Sequence, residues 1–288
     1  MGTATVWRTE QGTLRAPWQI AVFGVVVAAS SIFIGGMIYA LIALTPAVGW
    51  ARIARIPVAE WIQVACLLAS TSITARLLGT PDIWKYVGLD RDAWRPRHLA
   101  RGAALGAAVI AVPALAIVAG GISRFETATS GESALFMIWS AMALLVPAAL
   151  SEEVLFRGLA FSAVRAAIGT GRAILVTSVC FGLAHLFNPD PTVVSVIAVM
   201  VAGFLLAMVR VVTGSLAAAF VAHFAVNFTQ LALLHAPVSG QAFETPGYRL
   251  IPGDPAWLTG GSWGPEGGAA AMAAMLIATF VLKREGRW

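Results

Sequence analysis

The chain has 288 residues, of which 59% are hydrophobic and only 11% are charged, and its mean hydropathy is +0.82. Soluble domains usually carry about 25% charged residues, so this composition excludes an ordinary soluble protein and predicts one that crosses a membrane several times. The net charge of +5 does not indicate a nucleic-acid partner, because the Lys and Arg residues lie in short loops between apolar runs.

The apolar runs predict an all-α fold, a polytopic membrane helix bundle of about eight transmembrane helices. We expect residues 1–288 to form a single integral membrane domain, because no polar stretch is long enough to be a separate one. About twenty residues cross a hydrocarbon core as a helix; most runs fit this length, but the fourth is too long and the fifth is short. The predicted spans are residues 18–45, 58–78, 99–120, 134–167, 172–187, 193–211, 214–234 and 267–282.

The distribution of positive charge predicts the orientation of these spans. Eight spans place both termini on one face, which carries fourteen Lys and Arg residues when the intramembrane Arg157 is left out, whereas the opposite face carries four. Cytoplasmic loops are enriched in Lys and Arg, so both termini are expected in the cytoplasm. Alanine- and arginine-rich usage suggests a bacterium, so the membrane would be the cytoplasmic membrane. The fourteen are Arg8, Arg15, Arg76, Lys85, Arg91, Arg95, Arg97, Arg101, Arg165, Arg172, Arg210, Lys283, Arg284 and Arg287; the four are Arg52, Arg55, Arg124 and Arg249.

Two polar segments between the spans carry no motif. Residues 81–94 mix aromatic and charged side chains, which is typical of an interfacial cytoplasmic segment and equally of an ordinary polar loop. Residues 236–268 are rich in Gly and Pro, and we expect an irregular outer loop that connects spans rather than covers a site. Cys66 and Cys180 both lie in apolar runs, which indicates inert core residues rather than a disulfide.

Three charged residues lie inside the fourth apolar run, where a charge is costly and is a functional candidate by default. Glu153 and Arg157 are four residues apart, so they share one face of a helix and are expected to pair. Glu152 is rotated from Glu153 by about 100° and has no partner on its own helix. We therefore expect Glu152 to be the free carboxylate of this segment.

Two later spans each carry one histidine that could reach the same pocket as Glu152. Residues 169–171 read Gly-Thr-Gly, which predicts a turn between the fourth and fifth helices. Counted from this turn at 1.5 Å per residue, Glu152 lies roughly 24 Å up one helix and His185 roughly 21 Å up the other. His223 and Asn227 share one face of the seventh span. A buried polar site is thus expected between the fourth, fifth and seventh spans.

These residue types suit hydrolysis of an amide bond. A carboxylate in an apolar site can take a proton from water and return it to the leaving amine, while one histidine holds that water. The other histidine and Asn227 can donate hydrogen bonds to the developing oxyanion. Glu152, His185 and His223 could instead ligate zinc, with water in the fourth position, although no compact metal motif supports this reading. Phe181, one helical turn before His185, would form a wall of the site.

The same residues also have non-catalytic explanations. A single intramembrane histidine can simply hydrogen-bond a neighbouring helix. A Glu–Arg pair inside a bundle can be structural or can belong to an ion pathway in a transporter. The convergence of three spans at matched depth favours a site over these explanations. His98 and His235 lie at loop boundaries and receive no role, and the sequence Asn-Pro-Asp-Pro at 188–191 predicts a turn.

The charged and aromatic residues of these three spans resemble the CPBP family of intramembrane proteases, which includes the type II CAAX prenyl endopeptidases and bacteriocin-processing or immunity proteins. The family pattern is Glu-Glu-x-x-x-Arg, then Phe-x-x-x-His, then His-x-x-x-Asn or Asp. All three parts occur in order, within a family-like core at about residues 134–234. They read Glu152-Glu153-Val-Leu-Phe-Arg157, Phe181-Gly-Leu-Ala-His185 and His223-Phe-Ala-Val-Asn227.

The resemblance implies an intramembrane endopeptidase whose cavity opens toward the cytoplasm and the bilayer. It implies that Glu152 and His185 activate water and that His223 with Asn227 stabilises the oxyanion. Glu153, Arg157 and Phe181 would support this site. The mechanism requires no cofactor; the alternative is Zn²⁺ held by Glu152, His185 and His223.

The expected partners are the lipid bilayer and a membrane-associated or lipidated protein or peptide, with no nucleic acid. Prenylated substrates are not expected in a bacterium. The alternative function is a non-enzymatic membrane protein, either an immunity or scaffold protein or a small transporter.

Overall fold

The computed structural model describes residues 6–7, 14–44, 57–80, 82–128 and 133–285. Over these ranges the chain is an all-α helix bundle with one small antiparallel sheet, and seven helical segments are long and apolar enough to cross a membrane. The predicted fold class is confirmed, and the protein is a multi-pass membrane protein. The end of the first predicted span at Thr45 and the cations Arg8, Arg52, Arg55 and Arg287 lie outside the described residues.

The helices follow the predicted order. Hydroxyl groups cap three of them: Ser133, Thr192 and Ser215 accept hydrogen bonds from backbone N–H groups in the first turns of the helices that follow them directly in the chain. In chain order the helices are α1 (Ala16–Ser30) and α2 (Gly36–Ala43), which a π-helical turn joins, α3 (Val58–Leu78), α4 (Ile83–Val87), α5 (Pro96–Ala119), α6 (Ala134–Glu153), α7 (Leu159–Ile168), α8 (Thr170–Ala184), α9 (Val193–Thr213), α10 (Leu216–Phe228), α11 (Ala256–Thr259) and α12 (Ala269–Glu285).

The fourth and fifth spans form the predicted hairpin. A π-helical turn (Val154–Gly158) joins α6 to α7, which makes one helical segment of 35 residues, Ala134–Ile168. Gly169 ends it with a φ of 86°, a backbone conformation that glycine adopts more readily than other residues, and α8 begins at once. The turn is therefore shorter than the predicted 169–171. The π-helical turn directly follows Glu153, and such turns are frequent at functional sites.

Small residues hold α10, the span of His223, close to α5. Gly102 and Gly106 of α5 face the α10 backbone, and a Cβ atom on Gly106 would collide with the carbonyl oxygen of Ala222. Two helices packed at this separation leave little space for α10 to rotate. The close approach therefore sets the direction in which His223 points.

The eighth predicted span, residues 267–282, corresponds to α12, which has 17 residues. Met275 and Leu282 share a core cluster with Ile110 of α5 and Val209 of α9. α12 thus lies along the bundle beside the other helices. That it crosses the membrane remains a prediction.

Two expectations about the periphery are wrong. Residues 236–268 are not wholly irregular, because β2 (Gly247–Ile251) pairs antiparallel with β1 (Arg124–Ala128) and α11 follows. Cys66 is buried as expected, but Cys180 is exposed. The reason is that α8 buries the face that carries Ser178 and Phe181 and presents Cys180 on another side.

Candidate active site

A fully buried ion pair lies at the base of the candidate site. Arg157 Nη1 donates to Glu153 Oε1 at 3.0 Å, and both side chains are inaccessible to solvent, so the predicted pairing is present. Arg157 Nη2 also donates to the carbonyl oxygen of Gly203 on α9 at 3.1 Å. The guanidinium stacks 4.1 Å from the ring centre of Phe181, a cation–π contact. Arg157 therefore connects three spans in a region without water.

Glu153 has a second partner that the sequence did not indicate. The Nδ1 atom of His223 lies 2.9 Å from Glu153 Oε1, the same oxygen that Arg157 contacts. A carboxylate oxygen accepts, so the ring carries its proton on Nδ1. This bond orients the imidazole and turns Nε2 away from the ion pair, toward Glu152.

His185 is oriented in the same way by a different acceptor. It follows directly after α8, in a 3₁₀ turn (His185–Phe187), and its Nδ1 donates to the carbonyl oxygen of Phe181 at 2.8 Å. Because a carbonyl oxygen only accepts, the proton is on Nδ1. The Nε2 atom is free to face the cavity. Phe181 also packs its ring 4.7 Å from that of His185, so it forms the expected wall.

Glu152 faces both histidines. Its Oε2 atom lies 3.9 Å from Nε2 of His185 and 3.8 Å from Nε2 of His223, so the expected meeting at matched depth occurs. Oε2 is buried and has no hydrogen-bond partner. Separations of this size are too long for direct hydrogen bonds and leave room for a bridging water molecule.

Glu152 and His185 border a cavity of ≈ 360 Å³, and His223 lies behind them with its Nε2 atom 3.8 Å from Glu152 Oε2. Asn227, one turn after His223, lines the same cavity, so all four residues expected to be catalytic are brought together. Most other lining side chains come from the segments at the end of the bundle opposite Gly169. The polar ones are Glu60, Asn188, Ser239 and Gln241.

The segment after α10 covers the site rather than merely connecting spans, which corrects the expectation for residues 236–268. Val238, Ser239, Gln241 and Phe243 line the cavity. The buried Glu266 accepts hydrogen bonds from the Ser239 N–H at 2.8 Å and from its hydroxyl at 2.6 Å. These bonds hold the loop over the histidines.

Sequence reasoning missed Glu60, Asn188 and Glu266. Glu60 is an acid in the first turn of α3, a signal that was visible but had no partner at a recognisable spacing. The Asn188 amide donates to the Ser239 carbonyl oxygen at 3.1 Å, a contact between residues far apart in the chain. Only the folded structure brings such residues together.

A second, more apolar pocket adjoins the cavity. It has a volume of ≈ 370 Å³ and shares Leu144 and Phe243 with the cavity of Glu152. Met137 and Leu231 also line it. The polar cavity of Glu152 therefore lies next to a more apolar pocket.

The donor types of Glu152, His185 and His223 are those that zinc binds, but their spacing fits poorly. Tetrahedral zinc holds its ligand atoms at about 3.4 Å from one another, shorter than the 3.8 Å and 3.9 Å found between the Glu152 oxygen and the imidazole nitrogens. Across the described ranges, no group of three or more His, Cys, Asp or Glu could hold a metal ion. These separations do not match tetrahedral zinc, and the steps proposed below use the side chains alone.

The fold and the site define a class of protein: a multi-pass membrane helix bundle with a carboxylate and two imidazoles close together beside a cavity. A family model described as Type II CAAX prenyl endopeptidase Rce1-like matches residues 134–229, about a third of the chain, so this part of the chain is similar to that family. The match agrees with the resemblance found in the motifs and includes all of them. A search of curated proteins found no match, and neither did a search of solved structures.

Proposed function

We propose that the protein is an endopeptidase of the cytoplasmic membrane that hydrolyses a peptide bond in a membrane-associated or lipidated protein or peptide. The observation that carries this proposal is the convergence of the unpartnered Glu152 Oε2 with two imidazole Nε2 atoms, beside a cavity that Glu152 and His185 line. A purely structural carboxylate would be expected to have a bonded partner, as Glu153 does.

Glu152 and His185 activate the attacking water. The neutral His185 has a free lone pair on Nε2, so water can donate one hydrogen bond to it and one to Glu152. As the water oxygen attacks the substrate carbonyl carbon, Glu152 takes its proton. Glu152 then returns this proton to the leaving amine nitrogen, and the C–N bond breaks.

His223 and Asn227 stabilise the oxyanion that forms in between. The Asn227 amide can donate directly, whereas His223 donates through Nε2 only when its ring is doubly protonated. The Glu153 carboxylate at Nδ1 stabilises that positive charge, and Arg157 prevents Glu153 from being an isolated buried anion. The buried pair thus acts on the reaction through His223.

The apolar pocket beside the cavity supports a substrate with an apolar segment or lipid group. Its walls contain Met137, Leu144, Leu231 and Phe243. An apolar group seated there would lie next to the reacting carbonyl, because Leu144 and Phe243 line both volumes.

The substrate reaches the cavity from the side opposite the cytoplasm. Asn188 and the loop from Val238 to Phe243 line the cavity at the end of the bundle opposite Gly169. The Gly169 end is the face rich in Lys and Arg, which favours the cytoplasm for both termini. This proposal departs from the opening toward the cytoplasm and the bilayer that the family resemblance implies, and the charge distribution of this chain supports it.

Cleavage of an internally quenched peptide with an apolar segment, by protein reconstituted in vesicles, tests the activity. We expect Glu152→Gln to lower the rate by about 10²- to 10⁴-fold, because an amide cannot accept the proton. The control is Glu126→Gln, a half-buried carboxylate on β1 outside the cavity, which should keep the wild-type rate. A wild-type rate for Glu152→Gln would contradict the base role. Absence of cleavage by the wild type over a panel of such peptides would favour the non-enzymatic alternative.

Thiol labelling tests the sidedness without depending on activity. In a Cys66→Ala, Cys180→Ala background, Gln241→Cys marks the cavity and Ala167→Cys marks the opposite end of the bundle; both positions are exposed. An impermeant maleimide added to intact cells should label the cysteine at 241 and not the one at 167. The reverse labelling would overturn the outward opening and leave the peptidase proposal intact.

A further inference from the structure

A cationic pocket lies at the Gly169 end of the bundle, away from the cavity of Glu152. Its volume is ≈ 470 Å³. The pocket is lined by Lys85 and Tyr86 of α4, Ser162 and Arg165 of α7, and Arg210 of α9. Three of these five side chains are cations, and the described lining contains no carboxylate. The cationic pocket is therefore built to face negative charge.

Arg210 is the residue that most needs a partner. Its side chain is only 4% exposed, its Nε has no hydrogen-bond partner, and its Nη2 makes one long bond of 3.5 Å to the Tyr86 carbonyl oxygen. Asp90 attracts it from beyond ion-pair distance, while Arg165 repels it. An unpaired buried guanidinium is costly, and an anion in the cationic pocket would remove this cost.

The other buried arginine of the bundle provides the contrast. Arg157 is equally enclosed, but Glu153 neutralises it at 3.0 Å. Neither Arg210 nor Arg165 nor Lys85 has a carboxylate at ion-pair distance within the described part of the chain. Three cations directed at one volume without an internal counter-charge indicate that the counter-charge comes from outside the chain.

The surroundings of the cationic pocket match a membrane–water interface. Trp84 of α4 is exposed beside it, and Tyr86 is half-buried in its wall, a placement typical of aromatic side chains at headgroup level. The pKa of the Tyr86 phenol lies above its ordinary value, because burial raises it by more than the nearby Arg165 lowers it. Gly88, with a φ of 72°, makes space for Arg210, because a Cβ there would overlap the guanidinium.

We propose that this pocket binds a phosphate group, either in the headgroup of an anionic phospholipid or as free phosphate. Guanidinium groups match phosphate oxygens in geometry as well as charge, and Lys85 adds a third positive charge. Basic pockets between membrane helices on the cytoplasmic side bind anionic headgroups in this way. The proposal is independent of the peptidase activity, since it involves the other end of the bundle.

The test measures ligand retention by the delipidated full-length protein in detergent. Native mass spectrometry counts adducts of phosphatidylglycerol against those of zwitterionic phosphatidylcholine, and thermal unfolding with and without inorganic phosphate probes the free anion. The pocket variant is Lys85→Gln with Arg165→Gln, two exposed side chains whose loss leaves the core intact. The matched control is Arg97→Gln with Arg172→Gln, which removes the same charge from the same face outside the pocket.

We expect the pocket variant to retain about fivefold less phosphatidylglycerol than the control, with phosphatidylcholine unchanged. A second outcome is that inorganic phosphate raises the unfolding temperature of the wild type and the control but not of the pocket variant, while none of the three retains phosphatidylglycerol in preference to phosphatidylcholine. That result would identify free phosphate as the ligand. Equal lipid retention and equal phosphate response in the pocket variant and the control would overturn the proposal.

Discussion

Two layers of the candidate site differ in how fully their polar groups are bonded. In the lower layer the buried side chains of Glu153, Arg157 and His223 are joined by hydrogen bonds of 2.9 Å and 3.0 Å to one carboxylate oxygen. In the upper layer Glu152 Oε2 and the Nε2 atom of His185 face a cavity without a direct bond between them. The two glutamates are adjacent in sequence, yet Oε1 of Glu153 has two bonded partners, whereas the buried Oε2 of Glu152 has none.

This difference shows how the chain separates positioning from chemistry. The charges of the lower layer compensate one another, so it can be buried and rigid, and it orients His223. The upper layer keeps free lone pairs, which a water molecule or a substrate needs. Predictions that treat the layers separately test this division.

The largest effect is expected from breaking the lower layer. Arg157→Ala leaves Glu153 as an uncompensated buried charge and should lower the free energy of unfolding by about 3–5 kcal/mol. Equilibrium unfolding in mixed micelles measures this loss, with the exposed Arg172→Ala as the control. Glu153→Leu combined with Arg157→Met should restore most of the stability but not the cleavage, because His223 loses its orienting carboxylate. Wild-type stability of Arg157→Ala would contradict the importance of the pair.

A loss of rate without loss of stability is expected in the upper layer. Asn227→Ala removes a proposed donor to the oxyanion and should lower kcat by about 10²- to 10³-fold, with little change in KM. Steady-state cleavage of the quenched peptide measures both constants. Thr279→Ala, whose hydroxyl bonds within α12, serves as a control for the loss of a small polar group. If only KM rises in Asn227→Ala, the residue binds substrate and does not stabilise the oxyanion.

A smaller effect is expected from releasing the loop above both layers. Glu266→Ala removes the acceptor of the two Ser239 hydrogen bonds, which costs about 1–3 kcal/mol locally. We expect a higher KM and faster amide hydrogen exchange over residues 236–245, with kcat nearly unchanged. Glu266→Gln keeps a carbonyl acceptor and should recover part of the affinity. A fall in kcat alone would instead connect Glu266 to the chemical step.

No effect is expected from metal removal, because the upper layer is wider than a zinc site. Cleavage should survive exhaustive chelation, with elemental analysis confirming that metal is absent. Loss of cleavage that added zinc restores would show that the three side chains close around a metal in the active protein.

The sequence was sufficient for the parts of the site that depend on helical periodicity. The pairing of Glu153 with Arg157, the different direction of Glu152 and the hairpin turn at Gly169 all follow from residue spacing, and the structure contains each of them. It was not sufficient for the bond between His223 and Glu153, because those residues are 70 positions apart and their distance depends on how α10 packs.

The amino-acid sequence by itself determined membrane residence, the order of the helices and the identity of the charged residues inside them. These follow from local hydropathy and from the 3.6-residue period, which act over one or two helical turns. Only the packing of distant segments determines that His223 bonds Glu153, that residues 238–243 cover the cavity, and that Arg210 has no acidic partner at ion-pair distance among the described residues. Each of these depends on atoms from distant segments, whose separation is set by packing between helices and not by any local preference.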